Sequence, residues 1–167
     1  MTFNTAAPIL YSMIILRKAT IDDIELLIQL RLDYLTEDKG EMSAEVKNAI
    51  TQQLKGYFNK AIANKTFIGI FAEIEGNVVA TAYLSIFEKP ANPNFITGIT
   101  GTLLNVFTYP DYRRKGIATK IINRIINEAK DIGVSHIDLA ATADGKFLYE
   151  KLGFKVSSYT AMGLKLK

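Results

Sequence analysis

Residues 109–121 read YPDYRRKGIATKI, and three consecutive cations, Arg113, Arg114 and Lys115, stand directly before Gly116 and Ala118. An apolar run, LLNVFT at 103–108, abuts the stretch on one side. On the other, Ile117, Ile121, Ile122, Ile125, Ile126 and Ala129 recur at helical spacing until Gly133. The pattern predicts a strand, a glycine turn and an amphipathic helix. Such a turn leaves the first N–H groups of the helix without intrahelical partners, and the helix dipole adds positive potential there. Main-chain donors of that kind suit a phosphate. Gly116 lacks the Cβ that would block close approach and Ala118 is nearly as small, while the two guanidinium groups can grip phosphate oxygens in pairs. Three cations alone would equally fit a solvated surface turn; the strand before them and the helix after them favour the anion site.

Working outward, residues 14–17 form a short β-branched first strand. Thr20-Ile-Asp-Asp23 resembles a capping box ahead of Ile24, Leu27, Ile28, Arg31 and Leu35 at helical spacing. Residues 38–41 break that helix, and Ser43 caps a second whose buried stripe is Val46, Ile50, Leu54, Tyr57, Phe58 and Ala61. Runs 66–74 and 78–87, joined by Glu75-Gly76-Asn77, read as a hairpin. A loop with Pro90 and Pro93 follows over 88–98, and residues 101–108 form the fourth strand. After the helix that stops at Gly133, a fifth strand is expected over 136–141, parallel to the fourth with a right-handed crossover. A short helix over 144–152 closes at Gly153, and the alternating tail, 154–167, supplies one or two last strands. The whole is α/β or α+β: a βααββ half followed by a βαβαβ half.

Composition narrows the classes. The 167 residues suit one domain, with 49% hydrophobic and 22% charged residues. Twenty Lys and Arg against 17 acidic residues leave a net charge of +3, too mild and too interspersed to argue for nucleic acid. The chain has no cysteine, which excludes disulfides and thiolate metal sites and fits a cytoplasmic setting. No apolar run approaches the roughly 18 residues of a membrane span. Residues 1–12, broken by Pro8, read as an extension ahead of a single domain over 13–167.

The phosphate motifs Gly-x-x-x-x-Gly-Lys-Ser/Thr and Gly-x-Gly-x-x-Gly are missing, which disfavours a nucleotide triphosphatase or a dinucleotide dehydrogenase. Instead, Arg113-Arg-Lys-Gly116-Ile-Ala118 resembles the Gln/Arg-x-x-Gly-x-Gly/Ala signature of the GCN5-related N-acetyltransferases, and Tyr109-Pro-Asp-Tyr112 resembles its lead-in. A second segment, Phe147-Leu-Tyr149-Glu-Lys-Leu-Gly-Phe154, is similar to the Leu-Tyr-Glu-Lys-Leu-Gly-Phe segment of the same family. The order of elements agrees from Ile14 to Lys165.

The resemblance implies a mixed central sheet of six to seven strands with about four helices, strands four and five parallel and splayed. It implies acetyl-CoA as cofactor, with the coenzyme's pyrophosphate on the turn formed by Arg113, Arg114, Lys115, Gly116, Ile117, Ala118 and Thr119. Backbone groups of Val106, Phe107 and Thr108 would pair with the pantetheine arm, beside a bulge in the fourth strand. An N–H near Val106 or Phe107 would polarise the acetyl carbonyl. Tyr149 stands where the family places a phenol that protonates the departing thiolate, a role its ordinary pKa near 10 allows. Thr142 stands where many members carry a pantetheine-binding Asn, and Gly145 replaces the usual Ala.

Family members often use a Glu on the fourth strand as base; residues 99–108 contain no acid, and Asn105, the only amide there, is a candidate to hold the amine or a water. His136, the single histidine, lies at the end of its strand opposite the ligand edge. Glu37, Asp38 and Glu41 form either a cation-binding rim or a solvated turn. The base stays unassigned, as does the identity of the primary-amine acceptor, a small molecule or a peptide. No metal, nucleic-acid or membrane partner is expected; a homodimer is compatible but not indicated. The competing readings are a non-catalytic acyl-CoA-binding or regulatory domain, and a nucleic-acid module built on Arg113–Lys115 and Lys120.

Overall fold

The computed structural model describes residues 13–166; the proposed extension over 1–12 lies outside the described residues. The elements run β1 (Ile15–Lys18), α1 (Ile24–Lys39), α2 (Ala44–Ala63), β2 (Phe67–Ile74), β3 (Asn77–Glu88), β4 (Ile99–Thr108), α3 (Ile117–Asp131), β5 (His136–Asp138) and α4 (Lys146–Lys151), with single 3-10 turns before α1 and α3. One sheet carries the strands in the order β1-β2-β3-β4-β5. All neighbours are antiparallel except β4 and β5, which are parallel.

The sheet is covered on both faces, and the period-2 alternation of its strands divides the core in two. Ile68, Ile70, Leu84 and Leu103 point towards α3 and meet Ile117, Ile121, Ile122 and Ile125. Phe67, Phe71 and Tyr83 point the other way, onto Leu27, Leu30, Leu54 and Phe58 of α1 and α2. Local signals position these helices. Thr20 N–H donates to Asp23 Oδ2 at 2.8 Å before α1, and Ser43 Oγ accepts from Val46 N at 3.3 Å to open α2. The expected break at 38–41 falls at Gly40, whose φ of 86° ends α1 and whose N–H donates to Thr36 O. Val46 proves exposed rather than part of the buried stripe.

Two expectations are corrected. The sheet has five strands, not six to seven, because residues 154–166 form no strand among the described residues. Their apolar members stay in solvent, Tyr159, Met162, Leu164 and Leu166 among them. β5 stops at Asp138 instead of 141, because its ladder with β4 covers only Thr100↔His136, Gly101↔Ile137 and Thr102↔Asp138. Thr102 Oγ1 donates to Asp138 Oδ1 at 2.7 Å on the last rung. Beyond it the strands part, so Leu139 and its successors have no ladder to extend.

Candidate active site

The parting of β4 from β5 after Thr102 is followed closely by a bulge. Thr81 pairs with Phe107, but Tyr83 pairs with Leu104, so Asn105 and Val106 together oppose Ala82. Asn105 carries the irregularity with φ of 51°, a left-handed conformation that Asn tolerates better than most side chains. The β5-facing edge of β4 from Leu103 to Thr108 therefore has no strand partner among the described residues. Val106 packs into the α3 core, and Phe107 is buried with Tyr34 edge-on at 6.5 Å. The Thr108 carbonyl is engaged, accepting from Arg113 Nε at 2.8 Å.

The turn after β4 has the expected form. Arg114 (φ 61°) and Gly116 (φ 74°) are both left-handed, with Lys115 between them, which folds the intervening amides into a concavity. The first intrahelical bond of α3 runs from Lys120 N to Gly116 O at 3.2 Å, so the N–H groups of Ile117, Ala118 and Thr119 precede the helical ladder. Ile117 buries its side chain in the core and fixes the turn to the sheet, while Ala118 and Thr119 are half-buried. The backbone thus fits a diphosphate.

The three cations of the turn do not act alike. Arg113 forms an ion pair with Glu37, its Nη2 2.5 and 2.6 Å from the two carboxylate oxygens, and so braces the turn against α1. Lys115 Nζ donates to Asp111 O at 2.9 Å and lies 5.3 Å from the Tyr112 ring centre. Arg114 is exposed. Glu37 is thereby engaged, Asp38 pairs with Lys39 at 3.0 Å, and Glu41 stays in solvent.

Tyr149, on α4, is half-buried, and its ring meets Phe154 edge-on at 5.9 Å. Burial raises its phenol above the ordinary tyrosine value, and the nearby Tyr34 adds to the shift, so the proton stays on oxygen at neutral pH. Thr142 uses its hydroxyl locally, accepting from Gly145 N at 3.2 Å ahead of α4. A Cβ on Gly145 would sit 3.1 Å from Thr142 Oγ1 and 3.3 Å from Tyr149 Cε2, so an alanine there would require those side chains to give by a few tenths of an ångström. His136 opens β5 at the far end, its ring 6.4 Å from that of Phe95.

The site also contains residues that the sequence did not single out. Arg31 and Tyr34 of α1 reach the bulge: Arg31 Nη1 donates to Asn105 Oδ1 at 3.2 Å, and its guanidinium lies 5.4 Å from the Tyr34 ring centre. The available signal was an arginine inside the apolar stripe of α1, one turn after Leu27, where a solvated cation has no business. Two hollows flank the region. One of about 230 Å³ lies beneath α2 and opens beside Leu104. The other, about 1120 Å³, runs along β5, α4 and the tail, where the missing strands would have covered the sheet edge. Among the described residues no cluster of His, Asp or Glu is arranged to hold a metal, and no helix is long and apolar enough to cross a membrane.

Known proteins place this geometry. No curated protein sequence matches the chain. A predicted acetyltransferase from Clostridium acetobutylicum, crystallised with acetyl-CoA, is 32% identical; the match covers 93% of this chain and 96% of that one, with a TM-score of 0.78. A GCN5-related N-acetyltransferase from Ralstonia eutropha JMP134 shares the fold at 24% identity, over 91% and 99% of the two chains, TM-score 0.78. Ribosomal-protein-alanine N-acetyltransferase from Brucella melitensis biovar Abortus 2308 shares it at 18%, over 93% and 100%, TM-score 0.68. The acetyltransferase (GNAT) family itself matches residues 27–154. With the parted strands, the bulge and the amide-lined turn all present, the chain belongs to the GNAT family and is an acetyl-CoA-dependent N-acetyltransferase.

Proposed function

We propose that the chain transfers acetyl from acetyl-CoA to a primary amine by direct attack within a ternary complex. When bound, the cofactor supplies the acetyl group as an activated thioester. The amides of Arg114 to Thr119 would hold its diphosphate, with the exposed Arg114 as the nearest cation and Lys115, held to the Asp111 carbonyl, beside it. The open edge of Val106, Phe107 and Thr108 would hold the pantetheine arm, with one amide of Val106 or Phe107 donating to the acetyl carbonyl. Thr142, at the head of α4, is the remaining candidate contact for that arm.

The reaction forms a bond from the amine nitrogen to the acetyl carbon, breaks the carbon–sulfur bond, removes a proton from nitrogen and delivers one to sulfur. Tyr149 would perform the delivery to sulfur, since its phenol is protonated at neutral pH and has no hydrogen-bond partner among the described residues that would hold it elsewhere. A cysteine-bound acyl intermediate is excluded by the sequence, which favours direct attack. Asn105 cannot take the proton from nitrogen, since an amide is no base, and it bonds Arg31 instead. The observation that carries the proposal is the bulge at Asn105 and Val106, which follows closely on the parting of the strands after Thr102. Calorimetric titration with acetyl-CoA, then thiol release over a panel of amines, tests it. Binding without release for any amine would instead support a non-catalytic acyl-CoA-binding domain. Affinity for DNA that falls steeply with salt would revive the nucleic-acid reading.

A further inference from the structure

We infer that the acceptor is a small amine that also carries an anionic oxygen group, a carboxylate or a phosphate, and that Arg31 receives that group. This rests on the N-acetyltransferase reading above and names the substrate class of the same site.

The hollow of about 230 Å³ has an apolar, aromatic floor of Leu54, Phe58, Phe67 and Tyr83, and Leu104 of β4 stands at its edge. Leu104 immediately precedes the bulge, so the hollow adjoins the place where the acetyl carbonyl would lie, on the α1–α2 face of the sheet. Its size is below the roughly 300 Å³ at which drug-sized sites begin, so it suits a body on the scale of an amino-acid side chain.

The hydroxyl groups in its wall are satisfied. Tyr57 Oη and Ser85 Oγ bond each other at 2.6 Å, and Tyr83 Oη donates to Leu27 O at 2.8 Å. Arg31 is the one charged group in that wall. Half-buried, it makes one hydrogen bond, to a neutral amide, and no ion pair among the described residues. A guanidinium removed from bulk water ordinarily has an anionic partner, because burying unpaired charge is costly. Its planar fork of five donors matches a carboxylate or phosphate edge to edge. Asn105, which accepts from it, is 3% exposed, and its Nδ2 is buried without a partner, so the hydrogen bonding of this pair is incomplete. An under-paired guanidinium in the wall of an aromatic hollow, backed by the unpartnered amide of Asn105 at the bulge, describes the receptor for an anion-bearing acceptor. The short distance from Arg31 to the bulge requires that amine and anion be separated by few bonds.

The test compares matched amines at saturating acetyl-CoA: L-phenylalanine against phenethylamine, and 2-aminoethyl phosphate against ethanolamine. Thiol release gives kcat and KM, and calorimetry on the CoA-loaded protein gives affinities where turnover is slow. The anionic member of one pair should be preferred by roughly tenfold to a hundredfold, the worth of a charged hydrogen-bonded contact. Which pair responds distinguishes carboxylate from phosphate. Arg31→Met should collapse that preference through KM, and Arg31→Lys should keep part of it; thermal melting of both checks folding. Equal or better use of the neutral members in both pairs overturns the inference. So does an Arg31→Met protein whose preference ratio is unchanged, since Arg31 would then only prop Asn105. Failure to bind acetyl-CoA at all would strike the transferase reading instead.

Discussion

The phenol of Tyr109 donates a 2.5 Å hydrogen bond to Asp33 Oδ2, tying the exit of β4 to the middle of α1. Gln29 Nε2 holds the other carboxylate oxygen at 2.7 Å. Burial first, and the Asp33 contact second, push the Tyr109 pKa up to about 12. Its folded value thus lies above the unfolded value near 10, so the stabilisation is complete below pH 10 and is lost as pH rises towards 12. A shift of that size corresponds to something on the order of 2 kcal/mol. Urea unfolding from pH 8 to 12 should show wild type losing that amount relative to Tyr109→Phe. Parallel pH curves for the two proteins would contradict the linkage.

Gly116 has φ of 74° and open space where a Cβ would stand. Gly116→Ala should therefore cost only backbone strain, about 1 kcal/mol by chemical denaturation. Gly116→Glu should cost little more in stability, yet abolish acetyl-CoA binding by placing a carboxylate against the diphosphate. Titration calorimetry separates the two variants.

Tyr149→Phe removes a phenol without disturbing the contact between its ring and Phe154. Acetyl-CoA affinity should stay within a factor of about two, while kcat falls by roughly a hundredfold or more, the usual worth of a positioned acid. A phenylalanine variant turning over at the wild-type rate would remove Tyr149 from the chemistry.

Asn105→Asp puts a carboxylate 3.2 Å from Arg31, where the amide oxygen now lies. The internal pair should form at once and cancel the cation that the acceptor needs. Preference for anionic amines should then drop by about tenfold, with cofactor affinity unchanged. An undiminished preference would mean that the anion is held elsewhere.

Legibility followed the locality of the physics. The turn at Gly116 was readable because strand, glycine and amphipathic helix are consecutive, and each signal is local. The hairpin at Gly76 and the caps at Thr20 and Ser43 were readable for the same reason. Arg31 stands in the apolar stripe of α1 but could not be connected to Asn105, 74 positions away, without the packing of α1 on the sheet. The pairing of Arg113 with Glu37 likewise spans two elements, and charge alone assigns both to other work. The tail misled because alternation reports only what a strand would look like. Whether one forms depends on a partner edge, and β5 offers only three ladder positions, all facing β4.

The extra residue in β4 has a further consequence. Leu103 faces α3 and Leu104 faces α2; by simple alternation Phe107 would face α3, yet it meets Tyr34 of α1. The insertion reverses the parity of everything downstream, including the orientation in which Pro110 and the glycine turn leave the sheet. Excising Asn105 or Val106 would act as a frameshift in space: a regular strand would result, with Phe107 driven into the opposite layer and the glycine turn presented to the other side.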